Sequence, residues 1–297
     1  MIDIPDGLVQ SQFTYAGEAG RAFIAALPAR VEEFVERWGL RVEGPAMHGM
    51  AALVLPVVRR ADGTPAVVKF QVLDEETEGE PVALRVWDGD GAVRLLDHDP
   101  GTGTMLLERL DAARMLSVVE DSREAVTVIA GLLARLTAGP APDGMRRLAD
   151  IAAAMLAEVP GALARIGDPV QRGLVADCAA ALREVAADGG GDRLLHWDLH
   201  FENVLATVDG REPWVAIDPK PLAGDPGFDL WPALDNRFES DEVLWRFEAM
   251  TAAVGLDRER ARGWTLGRVV QNVLWDVEDG RALSADHLEV ARRLLGR

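Results

Sequence analysis

Residues 196–203 read His-Trp-Asp-Leu-His-Phe-Glu-Asn, and a further aspartate, Asp218, follows Asp198 after twenty positions. The segment between them carries the marks of a β-hairpin. Val204 to Val208 is apolar and β-branched, Asp209-Gly210 is a turn signal, and Trp214 to Ile217 reads as a second short strand. A hairpin returns the chain to where it started, so Asp218 is expected beside the loop that carries Asp198 and Asn203. Phosphoryl transfer asks for such a set: a carboxylate to orient an attacking hydroxyl, hard oxygen ligands for magnesium, and cations for the phosphates. Any one of these residues alone is an ordinary turn former. It is the joint spacing that narrows the choice. His196 is expected to pack or to bond backbone, and His200 is left open between structure and chemistry.

The cations are unusually easy to find. Of 31 basic residues only Lys69 and Lys220 are lysines. Where arginine serves as the general surface cation, a retained lysine points to a site that needs a compact ammonium group. Lys69 ends the strand-like run Ala66-Val67-Val68-Lys69-Phe70, and Lys220 lies two residues past Asp218. The pattern His196-x-Asp198-x4-Asn203 resembles the catalytic loop of protein kinases. On that reading Lys69 contacts the nucleotide phosphates. Its glutamate partner comes from the acidic run 74–80, with Glu80 preferred over Glu78 and Glu76; the others suit a solvated helix start.

Length and composition set the frame. A chain of 297 residues with 48% hydrophobic and 27% charged residues is expected to be globular and to form two lobes. A net charge of −18 argues against nucleic-acid binding and is compatible with a cationic small acceptor. The single cysteine, Cys178, allows no internal disulfide and falls on an apolar helical stripe, as suits a reducing cytoplasm. No apolar run is long enough for membrane insertion, and no signal pattern stands at the N-terminus. The sequence leaves the oligomeric state open, with a monomer favoured.

Taken in order, residues 1–17 read as a leading arm. Val31, Phe34, Val35 and Trp38 define an amphipathic helix stopped by Gly39. Strands are expected at Met50 to Val58, Pro65 to Phe70, Gly91 to Leu96 and Gly103 to Leu107, with a helix from the acidic run to Trp87. Gly44 to Gly49 occupies the expected place of a phosphate-covering loop but lacks the G-x-G-x-x-G pattern. Residues 108–111 are expected to link an N-lobe, 1–107, to a helical C-lobe, 112–297. Glu108 and Leu110 of that linker would offer backbone groups to adenine. In the C-terminal helices, Asp235, Gln271, Trp275, Asp276 and Asp279 are the candidate acceptor-binding residues, because they combine aromatic and acidic groups.

Two stretches, 196–205 and Trp214-Val-Ala-Ile-Asp-Pro-Lys-Pro-Leu-Ala-Gly-Asp-Pro, resemble the aminoglycoside phosphotransferase superfamily, in particular its streptomycin 6-phosphotransferase and hydroxyurea phosphotransferase branch. Arg85-Val-Trp-Asp-Gly and Leu106-Leu-Glu-Arg-Leu110 look like the same branch. The resemblance implies an α+β, protein-kinase-like bilobal fold with a small antiparallel sheet in the N-lobe and a mostly helical C-lobe. It implies an ATP- and Mg2+-dependent kinase of an alcohol group. Asp198 would be the base, Asn203 and Asp218 the metal ligands, Lys69, Glu80 and Lys220 the nucleotide-site residues, and Asp229 a brace for the loop. The expected acceptor is a streptomycin-like aminoglycoside or amino sugar. Hydroxyurea, a sugar, choline or homoserine are the alternatives, and a catalytically weak nucleotide-binding relative is the other class.

Overall fold

The structure, a computed structural model, describes residues 2–297. It divides into two compact units, Met1–Ala112 with Ala206–Pro213, and Ala113–Leu205 with Trp214–Arg297.

The first unit holds α1 (Asp6–Tyr15), α2 (Gly17–Arg37), β1 (Leu40–Val42), β2 (Met47–His48), β3 (Ala52–Arg59), β4 (Pro65–Gln71), α3 (Glu80–Trp87), β5 (Leu95–Asp99) and β6 (Thr104–Glu108). The strands form an antiparallel sheet in the order β1-β3-β4-β6-β5, with β2 also paired to β3. Phe23, Leu27, Val31 and Phe34 recur at helical spacing along α2 and are buried against Leu53, Leu55, Val57, Ala66, Val68 and Phe70 of the sheet. Each such side chain contributes on the order of 1.5–3 kcal/mol when fully buried. Because side chains alternate across a strand, Lys69 and Gln71 of β4 point to the face opposite α2.

Three local expectations change. The leading arm is helical. The helix expected to start inside the acidic run begins only at Glu80, because Asp74 folds the run into a turn, accepting the N–H groups of Glu76 (3.0 Å) and Thr77 (2.9 Å). The loop expected at Gly44 to Gly49 contains β2, and the turn that leads into β3 is at residues 49–51. Residues 43–46 merely interrupt one edge strand, since β1 and β2 both pair with β3.

The second unit is mostly helical: α4 (Ser122–Leu136), α5 (Leu148–Arg165), α6 (Pro169–Ala187), α7 (Trp231–Asp235), α8 (Val243–Val254), α9 (Arg258–Glu278) and α10 (Ala285–Leu295). Strand β7 (Leu110–Met115) precedes them, and β8 (Arg193–Leu195), β9 (Val204–Thr207), β10 (Val215–Ala216) and β11 (Leu222–Gly224) surround the 196–203 loop. Helix α9 packs on α5 and α6. At Gly267 a Cβ would lie 2.8 Å from Leu182 Cδ1, and one at Gly263 would overlap Val185, so these two glycines allow the close approach of α9 to α6.

Candidate active site

In the first unit, Lys69 Nζ donates to both Glu80 carboxylate oxygens at 2.7 Å. Gln71 Nε2 donates to Glu80 Oε2 at 2.9 Å. The two charged side chains are 6% and 1% exposed, so neither is solvated by bulk water. Alternation in β4 and the start of α3 at Glu80 place the pair, and of the three glutamates considered Glu80 is the one beside Lys69. A buried pair of this geometry fixes where the ammonium stands. Glu108 is tied down locally: its carboxylate accepts the Arg94 N–H at 2.8 Å and pairs with Arg211, and its own N–H donates to Arg94 O at 3.0 Å. Leu110 opens β7.

In the second unit, β9 and β10 pair antiparallel, Val215 opposite Leu205 and Ala216 opposite Val204. Ile217 N–H then donates to Asn203 O at 2.9 Å, so Asp218 directly follows a residue bonded to Asn203. Asn203 Nδ2 donates to the Asp198 carbonyl at 2.9 Å. That bond commits the amide's donor end inward and leaves its Oδ1 as a hard oxygen that could serve a metal. Asp218 adopts φ +54° and its carboxylate lies 3.5 Å from Lys220 Nζ. An amide oxygen and a carboxylate on adjoining chain are hard oxygen donors of the kind that would suit a magnesium ion. Among the described residues no cluster of three His, Cys, Asp or Glu side chains forms a cage for a metal.

The loop itself is held from behind. Asp229 accepts the N–H of His196 at 2.8 Å and of Trp197 at 2.6 Å. It follows a 3-10 turn at 226–228 that Asp225 caps through the Gly227 N–H (2.9 Å), and that turn lies against α9. Burial raises the Asp229 carboxyl to about 6, against the pull of the His196 N–H and the Arg268 charge. His196 is fully buried; burial lowers it to about 3, so the ring is neutral. Its Nε2–H donates to Ile217 O at 3.0 Å and its Nδ1 accepts the Asp198 N–H at 3.3 Å. His196 is therefore structural. His200 stands between two carboxylates, with Nδ1 3.0 Å from Glu202 Oε2 and Nε2 3.9 Å from Asp198 Oδ2. Burial raises the Asp198 carboxyl above the usual range, and the His200, Lys220 and Arg268 charges pull against it.

Asp198 opens onto a cavity of about 410 Å3, lined also by His200, Glu202, Trp231, Pro232, Asp235, Asn236, Arg268, Asn272 and Trp275. Of the five acceptor candidates, Asp235 and Trp275 line it and the other three lie elsewhere. Gln271 is buried and accepts from Arg268 Nη1 at 3.1 Å. Asp276 and Asp279 are both held by Arg281, the former at 3.0 Å. The lining face of α9 is Arg268, Asn272 and Trp275, an i, i+4, i+7 stripe, whereas the sequence-based choice followed an i, i+5, i+8 spacing. Glu202 and Asn236 line the cavity as well. Asn236 sits at the end of α7 and meets the loop twice, accepting the Phe201 N–H at 2.5 Å and donating to Glu202 Oε2 at 3.3 Å.

Solved structures share the fold. A choline/ethanolamine kinase family protein from Mesorhizobium loti superposes with TM-score 0.59 at 17% identity, over 90% of this chain and 92% of that one. An aminoglycoside phosphotransferase in ternary complex with ADP and hygromycin B superposes with TM-score 0.54 at 16% identity, over 89% and 95%. The α+β fold is thus protein-kinase-like. Two curated relatives are closer in sequence. Hydroxyurea phosphotransferase of Kitasatospora aureofaciens is 65% identical over 100% of this chain and 87% of that protein. Streptomycin 6-kinase of Streptomyces glaucescens is 56% identical over 95% and 93%. The family model described as aminoglycoside/hydroxyurea antibiotic resistance kinase matches residues 37–280, which span Lys69, the catalytic loop, Asp218 and every residue lining the cavity. The chain belongs to that family.

Proposed function

We propose that the chain is an ATP-dependent kinase that phosphorylates a hydroxyl group of an aminoglycoside, streptomycin-like or a related amino sugar, as an antibiotic-resistance enzyme. The observation that carries this reading is the cavity at Asp198. Its volume of about 410 Å3 falls in the range of drug-sized ligand sites, and its lining sets Asp198, Glu202 and Asp235 beside two tryptophans. Carboxylates there suit the ammonium or guanidinium groups of such an acceptor through charge-assisted hydrogen bonds, and the indoles suit its ring faces.

In this reading Asp198 accepts the proton of the acceptor hydroxyl as its oxygen attacks the γ-phosphorus, and the bond to the ADP leaving oxygen breaks. Burial opposes the ionised form of Asp198 that this requires, and the His200, Lys220 and Arg268 charges work against that opposition. Lys69, fixed by Glu80, neutralises the nucleotide phosphates. Asn203 and Asp218 would hold magnesium, which supplies further charge neutralisation on the phosphates when bound. The proposed arrangement is an N-lobe to residue 107, a linker at 108–111 with Glu108 and Leu110 at the adenine, and a C-lobe from 112. We place the enzyme in the cytoplasm, where its single buried Cys178 would stay reduced.

A second acceptor, hydroxyurea, is favoured by the 65% identical relative. It is far smaller than the cavity and carries no cation for Asp235 or Glu202. The test is magnesium-dependent ADP release with streptomycin, other aminoglycosides, amino sugars and hydroxyurea, against Asp198→Ala. Turnover with streptomycin at a kcat/KM well above that for hydroxyurea is expected. Turnover with hydroxyurea alone would replace the main reading, and no acceptor-dependent turnover would leave a nucleotide-binding relative.

A further inference from the structure

Helix α1 ends against the turn between β2 and β3. Ser11 Oγ donates to the Met50 carbonyl, and Gln12 Nε2 donates to the Ala51 carbonyl at 2.9 Å. Gln12 is 3% exposed, although it is polar and sits on a short helix whose only other buried residue is Leu8. A Cβ at residue 7 would lie 2.7 Å from His48 Cε1, so Gly7 is what lets α1 lie against the hairpin. The turn it grips is otherwise exposed: residues 47–51 present their surface to solvent.

The register says what this turn overlooks. Met47 is opposite Val54, Val54 opposite Lys69, and Lys69 opposite Met105, so one row crosses the sheet through the lysine. The turn begins two residues past that row, about 7 Å along the strand. Leu8 of α1 joins the core on the α2 face, whereas Lys69 points to the other face. In a trans peptide the C=O and the following N–H point opposite ways. Carbonyls of residues 50 and 51 held by α1 therefore turn the N–H groups of residues 51 and 52 away from that helix.

We propose that Ser11 and Gln12 are positioning residues for the nucleotide: by holding two carbonyls of the 49–51 turn they fix its amides for the phosphates that Lys69 binds. The inference rests on the kinase reading above. It explains how a turn without the glycine-rich pattern is kept in one conformation, since the restraint comes from a separate helix.

The test compares the wild type with the Ser11→Ala, Gln12→Met double variant, which removes both donors and keeps the buried volume at position 12. Calorimetric Kd values are measured for the non-hydrolysable analogue AMP-PNP with magnesium and for adenosine, with amide exchange followed at 49–52. AMP-PNP affinity should fall at least tenfold, adenosine affinity should change less than twofold, and exchange in the turn should quicken. Equal loss for both ligands would assign α1 a general structural role and overturn the proposal, as would no loss for either. Should the double variant not fold, Ser11→Ala alone should weaken AMP-PNP about threefold and spare adenosine; no change there also overturns it. A wild type that binds no AMP-PNP refutes the kinase reading and this inference together, whereas a wild type that binds while the variants bind equally refutes the inference alone.

Discussion

Asp229 accepts the backbone N–H of Trp197 at 2.6 Å while Trp197 sits at φ +67°, a conformation that bulky residues rarely adopt. The carboxylate also takes the His196 N–H, so it over-determines the loop just before Asp198. Asparagine offers one acceptor oxygen where two N–H groups need one each. Asp229→Asn should therefore cost about 1–3 kcal/mol of stability and lower kcat at least thirtyfold. The KM for ATP should stay within about threefold. Thermal unfolding and steady-state kinetics check it, and an unchanged kcat would show that the brace is dispensable.

The Lys69–Glu80 pair separates stability from chemistry. Removing only the anion, in Glu80→Ala, leaves a buried ammonium without its main counter-charge and should destabilise by about 3–5 kcal/mol. The double variant Lys69→Met, Glu80→Met fills the same space with apolar groups and should regain most of that loss, yet remain inactive. Urea denaturation and ADP release measure the two outcomes. A double variant as unstable as the single one would mean that packing, not charge, dominates there.

Acceptor recognition should follow the cavity lining. Glu202→Gln with Asp235→Asn should raise the acceptor KM at least tenfold, with an effect that weakens as salt is added, since both carboxylates are about half exposed. Asp276→Asn with Asp279→Asn should leave that KM within twofold and instead lower Tm through the lost Arg281 pairs. Reversal of these two results would relocate the acceptor site.

The neutral, buried His196 couples stability to pH. Its pKa falls from 6.5 to about 3 on folding, chiefly through burial. Between those values unfolding takes up a proton, so this group's contribution is intact above pH 6.5 and is lost as pH falls, by up to about 1.4 kcal/mol per unit. His196→Gln should be the less stable protein at pH 7. The gap to wild type should narrow at that slope between pH 6 and 4.5. A gap constant with pH would mean that His196 titrates normally in the fold.

The grouping of the candidate catalytic residues was legible in the chain because it is local. Asp198, Asn203 and Asp218 are spaced by one loop and one hairpin, and Lys69 with Glu80 by one turn, so alternation and turn signals sufficed. What escaped depended on contacts between distant segments. The buried Gln12 of α1 finds its partner 39 residues on, and no apolar period announces such a helix. The 49–51 turn was displaced in the reading because Gly44 looks like a loop tip, whereas the pairing of both β1 and β2 with β3 makes it an interruption. On α9 the polar residues of two faces are interleaved, and Arg281, which claims Asp276 and Asp279, lies beyond the helix.

Helix α9 thus has two faces with opposite freedoms. Along one, Gly263 and Gly267 touch α6 so closely that even a methyl group meets Val185 or Leu182. Along the other, Asn272 and Trp275 line the cavity beside Arg268, which is itself held by Gln271 and packed on Trp197 and Phe228. If the cavity takes the acceptor as proposed, substitution at 272 and 275 can alter what is bound while the scaffold stays fixed on the reverse of the same helix. Resistance of this kind should diversify at positions 272 and 275 long before it diversifies at 263 and 267, and a deep substitution scan under drug selection would display that asymmetry directly.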